Sequence, residues 1–283
     1  MYNKVEKATI VRGLTKKMGK VVVTLKEHQW INSRGKRLSA MVHTNEKMMQ
    51  DAPVVIFCHG FTGDKVGANQ LMRNMAQDLE SRGMSVIRFD FAGSGESEGV
   101  FALDTTISGW QEDLVNVVSW VKNKAEWKNA PLYLLGHSLG GLITLMFKGH
   151  SGTLAGRIAL APVVYAAENF RNIILGDELW EQAVNGQTIT NFYNKGFSLE
   201  PEFVRELLQK KYSTIGVASS SAEPLLIIHG TADVAVPMQG SQQLYQECSC
   251  IKELQIVEGA DHVFVGRHGE LATKIAVWLK SLE

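Results

Sequence analysis

The feature that most constrains the fold is a series of short apolar runs that alternate with amphipathic segments. Apart from Arg88, Asp90 and Gln255, the runs are continuously apolar, which is typical of parallel strands buried on both faces of a sheet. The runs are residues 54–58, 86–91, 132–135, 158–161, 225–228 and 254–257. Between them, apolar residues recur at helical spacing, for example at Leu71, Met75 and Leu79. This alternation predicts an α/β fold with a mostly parallel central sheet and helices on both faces.

The N-terminal part of the chain has a different pattern. Residues 21–31 and 37–44 flank the turn-forming stretch 32–35. An antiparallel hairpin is therefore expected to precede the parallel strands.

A long segment between two of the apolar runs interrupts the alternation. Residues 163–222 contain no clear buried strand and are too long for a single crossover helix, so they are predicted to be an insertion. We accordingly assign residues 1–162 and 223–283 to the core and residues 163–222 to an inserted cap. Within the insertion a helix is expected over residues 201–212, with Ser198 as its N-cap.

The insertion is rich in aromatic residues, which either pack it onto the core or cover a pocket. They are Tyr165, Phe170, Trp180, Phe192, Tyr193, Phe197, Phe203 and Tyr212. Tyr165, Trp180 and Tyr193 carry a hydroxyl or an indole N–H that could meet a polar group of a ligand. We take these three residues as candidate substrate contacts. Of the two roles, we prefer the one in which the insertion is a cap over a pocket.

Composition excludes several classes of protein. Lys and Arg together number 29, as do Asp and Glu, so the net charge is zero and the basic excess of a nucleic-acid-binding protein is missing. No apolar run reaches the roughly 18 residues of a membrane-spanning helix. The N-terminal residues 1–13 lack the apolar core of a secretory signal. These observations predict a cytoplasmic protein without a nucleic-acid partner or a membrane span, and a homodimer is one alternative for its oligomeric state.

The three cysteines do not suggest a disulfide framework, because their number is odd and the chain is large. Cys58 ends an apolar run and is expected to be a small buried residue. Cys248 and Cys250 could form part of a metal site, but no second Cys or His pair lies at ligand spacing. We expect no metal.

Two segments match the pattern G-x-S-x-G, centred on Ser97 and Ser138. A nucleophilic serine on this motif needs a strand that leads directly into it and a helix that follows at once. Residues 132–135 lead into Ser138, and the apolar segment 141–147 follows it. Ser97 lies in a loop rich in Gly, Ser and Glu. Ser138 is therefore the predicted nucleophile.

Serine needs a base to remove its proton, and the base needs an acid to orient it. His262 lies in a loop just after the last apolar run, whereas His268 lies further on. Asp233 follows the run 225–228 and is the preferred acid. Glu168 is the runner-up, and Asp261 is too close to His262 in the chain to reach its Nδ1.

Two backbone N–H groups are expected to stabilise the negative charge that develops on the substrate oxygen. One belongs to Leu139, the residue after the nucleophile, at the start of a helix. The other is assigned to Phe61, in the loop that follows residues 54–58. His59 precedes the nucleophile and is expected to hydrogen-bond within that loop.

As a set, these residues resemble the α/β-hydrolases. The motifs are HGFTG at 59–63, DFAGSGES at 90–97, GHSLGG at 136–141, HGTAD at 229–233 and GADH at 259–262. Within that superfamily the segments HGFTGDK and HGTADVAVP and the inserted cap look most like the bacterial cinnamoyl and feruloyl esterases. The resemblance implies an α/β-hydrolase fold and a triad of Ser138, Asp233 and His262. It also implies Phe61 and Leu139 as oxyanion donors, and an insertion that binds an aromatic acyl group.

The predicted function is hydrolysis of a small carboxylic ester through an acyl-enzyme, with a hydroxycinnamate as the preferred acyl group and no cofactor. An acylglycerol lipase or a thioesterase with the same triad is the alternative among enzymes. A ligand-binding receptor of the same fold with slow turnover is the alternative of another class.

Overall fold

The computed structural model describes residues 10–17, 20–45, 51–149, 152–192, 196–210, 212 and 214–283. Their strands are β1 Ile10–Lys17, β2 Lys20–Ser33, β3 Lys36–Asn45, β4 Val54–Cys58, β5 Ser85–Phe89, β6 Leu132–His137, β7 Gly156–Leu160, β8 Ile189–Phe192, β9 Phe197–Leu199, β10 Leu225–Gly230 and β11 Lys252–Val257. The helices are α1 Leu71–Glu80, α2 Phe101–Asp104, α3 Ile107–Lys122, α4 Leu139–Met146, α5 Ala166–Asn169, α6 Gly176–Val184, α7 Pro201–Lys210, α8 Thr214–Ser219, α9 Met238–Glu247 and α10 His268–Ser281.

Nine strands form one sheet in the order β1-β2-β3-β5-β4-β6-β7-β10-β11. The pairs from β1 to β5 are antiparallel, and the strands from β5 to β11 in this order run parallel. The predicted parallel sheet with antiparallel N-terminal strands is confirmed. Its parallel strands end at one edge, where loops meet and ligands bind in open α/β sheets.

The central strands are buried on both faces, which explains why their sequences are continuously apolar. In β4 alternate side chains enter different cores: Val54 and Ile56 pack with α3 and α4, whereas Val55 and Phe57 pack with α1 and α10. The amphipathic helices thus cover both faces of the sheet, as the helical spacing predicts.

The hairpin between β2 and β3 turns more tightly than the sequence predicts. The strands include Asn32 and Ser33, so only Arg34 and Gly35 form the turn, at φ 48° and 70°. A left-handed conformation disfavours arginine. Two hydrogen bonds hold the Arg34 guanidinium on buried Asp113: Nε to Oδ1 at 2.9 Å and an Nη to Oδ2 at 2.8 Å.

Residues that connect β7 to β10 include α5 to α8 and the small antiparallel hairpin of β8 and β9. The helix expected over residues 201–212 is present as α7, Pro201–Lys210. Ser198 lies inside β9 and is not its N-cap, so that assignment is wrong. The division of the chain into a core and a cap stays a prediction.

A chain of buried polar groups joins β3, α1 and β5. Arg88 Nε donates to His43 Nε2 at 3.0 Å, so His43 Nδ1 carries the hydrogen that faces Glu80 Oε2 at 3.3 Å. Burial, reinforced by nearby Arg88, lowers the pKa of His43 to about 2. Burial also raises the pKa of Glu80 to about 7, although the charge of Lys26 opposes this shift.

The raised pKa of Glu80 makes stability fall as pH rises. The folded protein holds a proton on Glu80 up to about pH 7, whereas the unfolded chain loses it near pH ~4.3. The stability that Glu80 contributes is therefore fully present below its pKa in the unfolded chain. It is lost as the pH rises through its pKa in the folded protein. We expect Glu80→Gln to remove this loss and to raise the free energy of unfolding at pH 8 by about 1–3 kcal/mol. Urea unfolding at pH 5 and pH 8 measures it, with exposed Glu126→Gln as control. Equal pH dependence in Glu80→Gln and the unsubstituted protein would contradict it.

Candidate active site

Ser138 occupies the sharp turn between β6 and α4, with φ 56° and ψ −119°. A non-glycine residue adopts this strained conformation only where its surroundings fix it. The Ser138 N–H donates to the carbonyl of Leu160 at 2.9 Å, and its own carbonyl accepts from Gly141 at 2.9 Å and from Val163 at 3.1 Å. These bonds fix Ser138 at the carboxyl edge of the sheet.

Close backbone packing explains the last glycine of the motif around Ser138. A Cβ atom on Gly140 would lie 2.3 Å from the carbonyl oxygen of Cys58, closer than atoms can approach. Only glycine lets the first turn of α4 sit against the end of β4, which also brings the loop after β4 next to Ser138.

His262 links Ser138 to Asp233. Its Nε2 lies 3.0 Å from Ser138 Oγ, and its Nδ1 lies 2.8 Å from Asp233 Oδ2. A carboxylate only accepts, so Nδ1 carries the hydrogen and Nε2 is left to accept from the serine hydroxyl. Asp233 follows β10 and His262 follows β11, so strand ends far apart in the chain bring together the three residues predicted from the sequence.

The side chain of Asp233 is buried, and both of its carboxyl oxygens accept hydrogen bonds. Oδ1 accepts from the N–H groups of Ala235 and Val236, both at 2.9 Å. Oδ2 accepts from His262 and faces His229 Nε2 at 3.2 Å. Burial alone would raise the pKa of Asp233, but hydrogen bonds from His229 and His262 outweigh it and hold that pKa below its ordinary value. The group is therefore a carboxylate at neutral pH.

His229 is a contact that the sequence analysis missed. Its side chain is fully buried, and the Ser241 hydroxyl lies 2.8 Å from its Nδ1. Its Nε2 faces two acceptors, the carbonyl of Val236 at 3.1 Å and Asp233 Oδ2, so Nε2 carries the hydrogen. The sequence does contain a signal for this contact, because His229 begins the HGTAD motif four residues before the acid Asp233.

His137 is a second missed residue, between Gly136 and the nucleophile. Its Nε2 donates to the carbonyl of His262 at 2.8 Å, and the two rings lie 4.8 Å apart. Burial, followed by the neighbouring His262, lowers the pKa of His137 to about 3. A neutral His137 therefore fixes the backbone of His262 throughout the neutral pH range.

The alternative acids occupy other positions. Asp261 Oδ1 accepts from the N–H of Val265 at 3.0 Å, which engages it within its own loop. Glu168 lies in α5 and lines a cavity beside Tyr165. In the described ranges, neither carboxylate bonds to His262.

Ser97, the serine of the other G-x-S-x-G match, forms hydrogen bonds with backbone groups. Ser97 Oγ donates to the carbonyl of Asp90 at 2.6 Å and accepts from the N–H of Ser39 at 2.8 Å. The hydroxyl thereby ties its loop to β3.

The loop after β4 lies directly against the serine. A Cβ atom on Gly60 would lie 3.1 Å from the Cβ of Ser138. The N–H groups of Phe61 and Leu139 find no acceptor in the part of the chain that the structure describes. His59 stabilises this loop through its ring. Its Nδ1 donates to the carbonyl of Gly60 at 2.9 Å, as predicted, and its Nε2 accepts from the backbone N–H of Phe91 at 3.1 Å.

Comparison with known proteins places the chain in a family. Residues 50–195, about half of the chain, match the family described as serine aminopeptidase, S33. The chain belongs to this family of α/β hydrolases.

The curated proteins similar to this chain align with it over only part of their own sequences. The chain is 32% identical to the protein YfhR of Salmonella typhimurium over 197 residues, which are 68% of this chain and 60% of YfhR. It is 27% identical to lysophosphatidylserine lipase ABHD12 of Danio rerio over 214 residues, 74% of this chain and 51% of that protein. The chain thus spans little more than half the length of these curated relatives.

Solved structures confirm the α/β-hydrolase fold. Est1E from Butyrivibrio proteoclasticus, with ferulic acid bound, is similar with a TM-score of 0.78 at 22% identity, over 90% of this chain and 98% of that chain. Among the helices that the structure describes, none has the length and apolarity that a bilayer crossing requires. A cytoplasmic location and a homodimer stay predictions.

In this α/β hydrolase the ring of Phe61 is surrounded by other phenylalanines. Its centroid lies 5.0 Å from that of Phe170, 5.4 Å from Phe203, and 5.6 Å from both Phe101 and Phe192. Three of these neighbours lie within residues 163–222. Phe61 therefore joins the loop after β4 to this segment through its side chain.

The three predicted substrate contacts have different surroundings. Trp180 is 2% exposed and belongs to the hydrophobic core that includes the insertion. Tyr165 is 40% exposed, its hydroxyl donates to Gln243, and it lines cavities of about 440 and 130 Å³. Tyr193 lies outside the described residues. Their contact with substrate stays a prediction, and the burial of Trp180 favours a packing role for it.

Proposed function

We propose that this chain is a serine hydrolase of carboxylic esters that works through an acyl-enzyme. The observation that carries the proposal is the hydrogen-bonded series Ser138, His262 and Asp233, with distances of 3.0 and 2.8 Å, at a strained turn. Beside it are two N–H groups for which the described residues provide no acceptor. This combination provides a nucleophile, a base and a place for developing negative charge.

In the first step Ser138 Oγ bonds to the ester carbonyl carbon while its proton passes to His262 Nε2. Asp233 stays a carboxylate and stabilises the imidazolium that forms. The carbonyl electron pair moves onto oxygen, where the N–H groups of Phe61 and Leu139 stabilise the negative charge.

In the second step the carbonyl re-forms and the bond to the alcohol oxygen breaks. The alcohol leaves with the proton from His262, and Ser138 retains the acyl group as an ester. Water then enters, gives a proton to His262 Nε2 and attacks the acyl carbon. Collapse of this intermediate releases the acid and returns the proton to Ser138.

The phenylalanines around Phe61 indicate an apolar acyl group. An acyl chain that extends from Ser138 toward Phe61 would approach an aromatic cluster whose other members, Phe170, Phe192 and Phe203, are buried. We propose that residues 163–222 act as a cap over the catalytic residues. The finer proposal, a hydroxycinnamate ester, is supported by the sequence resemblance to feruloyl esterases and by the fold that the chain shares with ferulate-bound Est1E.

An acylglycerol or lysophospholipid is the second candidate substrate. The specific observation in its favour is the chemistry of the four neighbours of Phe61, which are all phenylalanines and carry no hydroxyl for a phenol. The similarity to lysophosphatidylserine lipase ABHD12 of Danio rerio supports the same candidate.

A substrate panel tests the proposal and separates the two candidates. It compares p-nitrophenyl acetate and butyrate, methyl ferulate, a monoacylglycerol, a lysophospholipid, an acyl-CoA and an aminoacyl p-nitroanilide at equal enzyme concentration. Steady turnover of at least one ester supports the proposal, and the ratio of kcat/KM values identifies the acyl class. Turnover of the anilide alone, or one slow turnover for every ester, would contradict it.

Trp180→Ala distinguishes packing from substrate contact. Because the indole is 2% exposed, we expect a loss of about 3–5 kcal/mol in the free energy of unfolding. Activity of the remaining folded protein should fall equally on methyl ferulate and p-nitrophenyl acetate. A roughly tenfold rise in KM for methyl ferulate alone, with an unchanged melting temperature, would show that Trp180 contacts the substrate.

A further inference from the structure

Two cysteines lie close together at the end of α9, in the stretch of chain between Asp233 and His262. Cys248 follows the helix directly and is 2% exposed, whereas Cys250 is half-buried; both are reduced. Their side chains pack in the same small core beside Leu225 and Leu254, and each thiol shifts the pKa of the other. Residues two apart in the chain have Cα atoms within about 7 Å, close to the range that a disulfide spans.

Two positively charged side chains, Arg157 and Lys252, lie near this thiol pair. Leu225 in β10 pairs in register with Arg157 on one side and with Lys252 on the other, so these three side chains share one face of the sheet. Lys252 Nζ donates to the carbonyls of Cys248 and Gln246, which places its ammonium group over the end of α9.

Arg157 adds a donor that the fold leaves unused. Its guanidinium is buried, and its two Nη atoms donate to the carbonyls of Leu145 and Phe147, at 3.1 Å each. One Nη also lies 3.5 Å from the carboxylate of Glu223, which pairs with part of its charge. Its Nε has no acceptor in the described part of the chain. A buried N–H group without a partner is costly, and at a functional site it commonly awaits a charged group.

The two thiols are chemically different. The hydrogen bond from Cys248 lowers the pKa of Cys250 to about 7, against the opposing effect of burial. The same hydrogen bond and burial raise the pKa of Cys248. One thiol of the pair is therefore a thiolate near neutral pH, and the other is its proton-bearing partner.

We propose that Cys248 and Cys250 form a redox-active dithiol that a hydroperoxide converts to an intramolecular disulfide. The Cys250 thiolate attacks the outer oxygen of the peroxide, the O–O bond breaks, and the alkoxide or hydroxide leaves with a proton from solvent. Cys250 is then a sulfenic acid. The Cys248 thiol attacks its sulfur, a disulfide forms and water leaves. The sulfurs lose two electrons, the peroxide gains them, and an external dithiol reverses the change.

Peroxide treatment of the intact chain tests the disulfide. We expect the titratable thiols of the denatured protein to fall from three to one, with a loss of about 2 Da as two thiol hydrogens leave. A Cys58→Ser variant should still lose two thiols, and Cys250→Ser should lose none at the same peroxide dose. Covalent dimers, or equal oxidation of the Cys250→Ser variant, would overturn the proposal.

The hydrogen bond between the thiols is tested by alkylation at different pH values. Cys250 should react with a midpoint near pH 7. Cys248→Ser keeps a donor, so the midpoint should stay, and dimedone should trap a sulfenic acid on Cys250 after peroxide. Cys248→Ala removes the donor, so the midpoint should rise toward about 8.5. The same midpoint in Cys248→Ala and the unsubstituted protein would overturn the assignment. Neither test depends on ester hydrolysis.

Discussion

Ser138→Ala should lower kcat for every ester that the chain hydrolyses by about five to six orders of magnitude. The substitution removes the oxygen that lies 3.0 Å from His262 Nε2 and leaves no other hydroxyl at the turn. The alanine methyl replaces the hydroxyl without crowding, so the variant should fold normally. Initial rates with p-nitrophenyl butyrate, alongside thermal unfolding, measure both effects.

Ser97→Ala is the matched control, because Ser97 occupies the other G-x-S-x-G match. Its hydroxyl makes two structural hydrogen bonds, to Asp90 and from Ser39. We expect a loss of about 1–2 kcal/mol in the free energy of unfolding and retention of most of the activity. An inactive Ser97→Ala and an active Ser138→Ala would reverse the assignment of the nucleophile.

Asp233→Asn should lower kcat by about three to four orders of magnitude while the protein still folds. The carboxylate accepts from Ala235, Val236 and His262, and an amide cannot accept at both of its ends. With its oxygen satisfied by the backbone, the amide would present N–H to His262 and favour the wrong tautomer of the base. Steady-state kinetics on a short ester measures the loss.

Asp261→Asn and Glu168→Gln are the controls for the acid. Asp261 binds within its own loop and Glu168 lies in α5, so each change should cost less than about tenfold in kcat/KM. A larger loss in Glu168→Gln than in Asp233→Asn would place the acid after β7 and contradict the account.

The strands and the nucleophile could be predicted because local sequence determines them. The continuous apolar runs follow from burial on both faces, which the alternating environments of Val54 and Val55 illustrate. The turn at Ser138 has a local signature as well, since Gly140 must be glycine for α4 to approach β4.

Features that depend on contacts between distant segments could not be predicted. His229 and His137 support Asp233 and His262 through hydrogen bonds that only the assembled strand ends create. Ser198 is a residue type that favours N-caps, but it lies in β9, whose strand pairs with β8. Trp180 carries a polar N–H, yet its indole is buried, and no local pattern distinguishes a packing tryptophan from one that binds a ligand.

The central claim is that Ser138 forms a covalent acyl-enzyme with His262 as its base. Covalent labelling with a fluorophosphonate, followed by peptide mass spectrometry, tests it most directly because the reagent reacts only with an activated serine. The account predicts one label per chain, located on Ser138, and none after His262→Ala or after unfolding. A label on Ser97, or ester hydrolysis by a protein that takes no label, would contradict it.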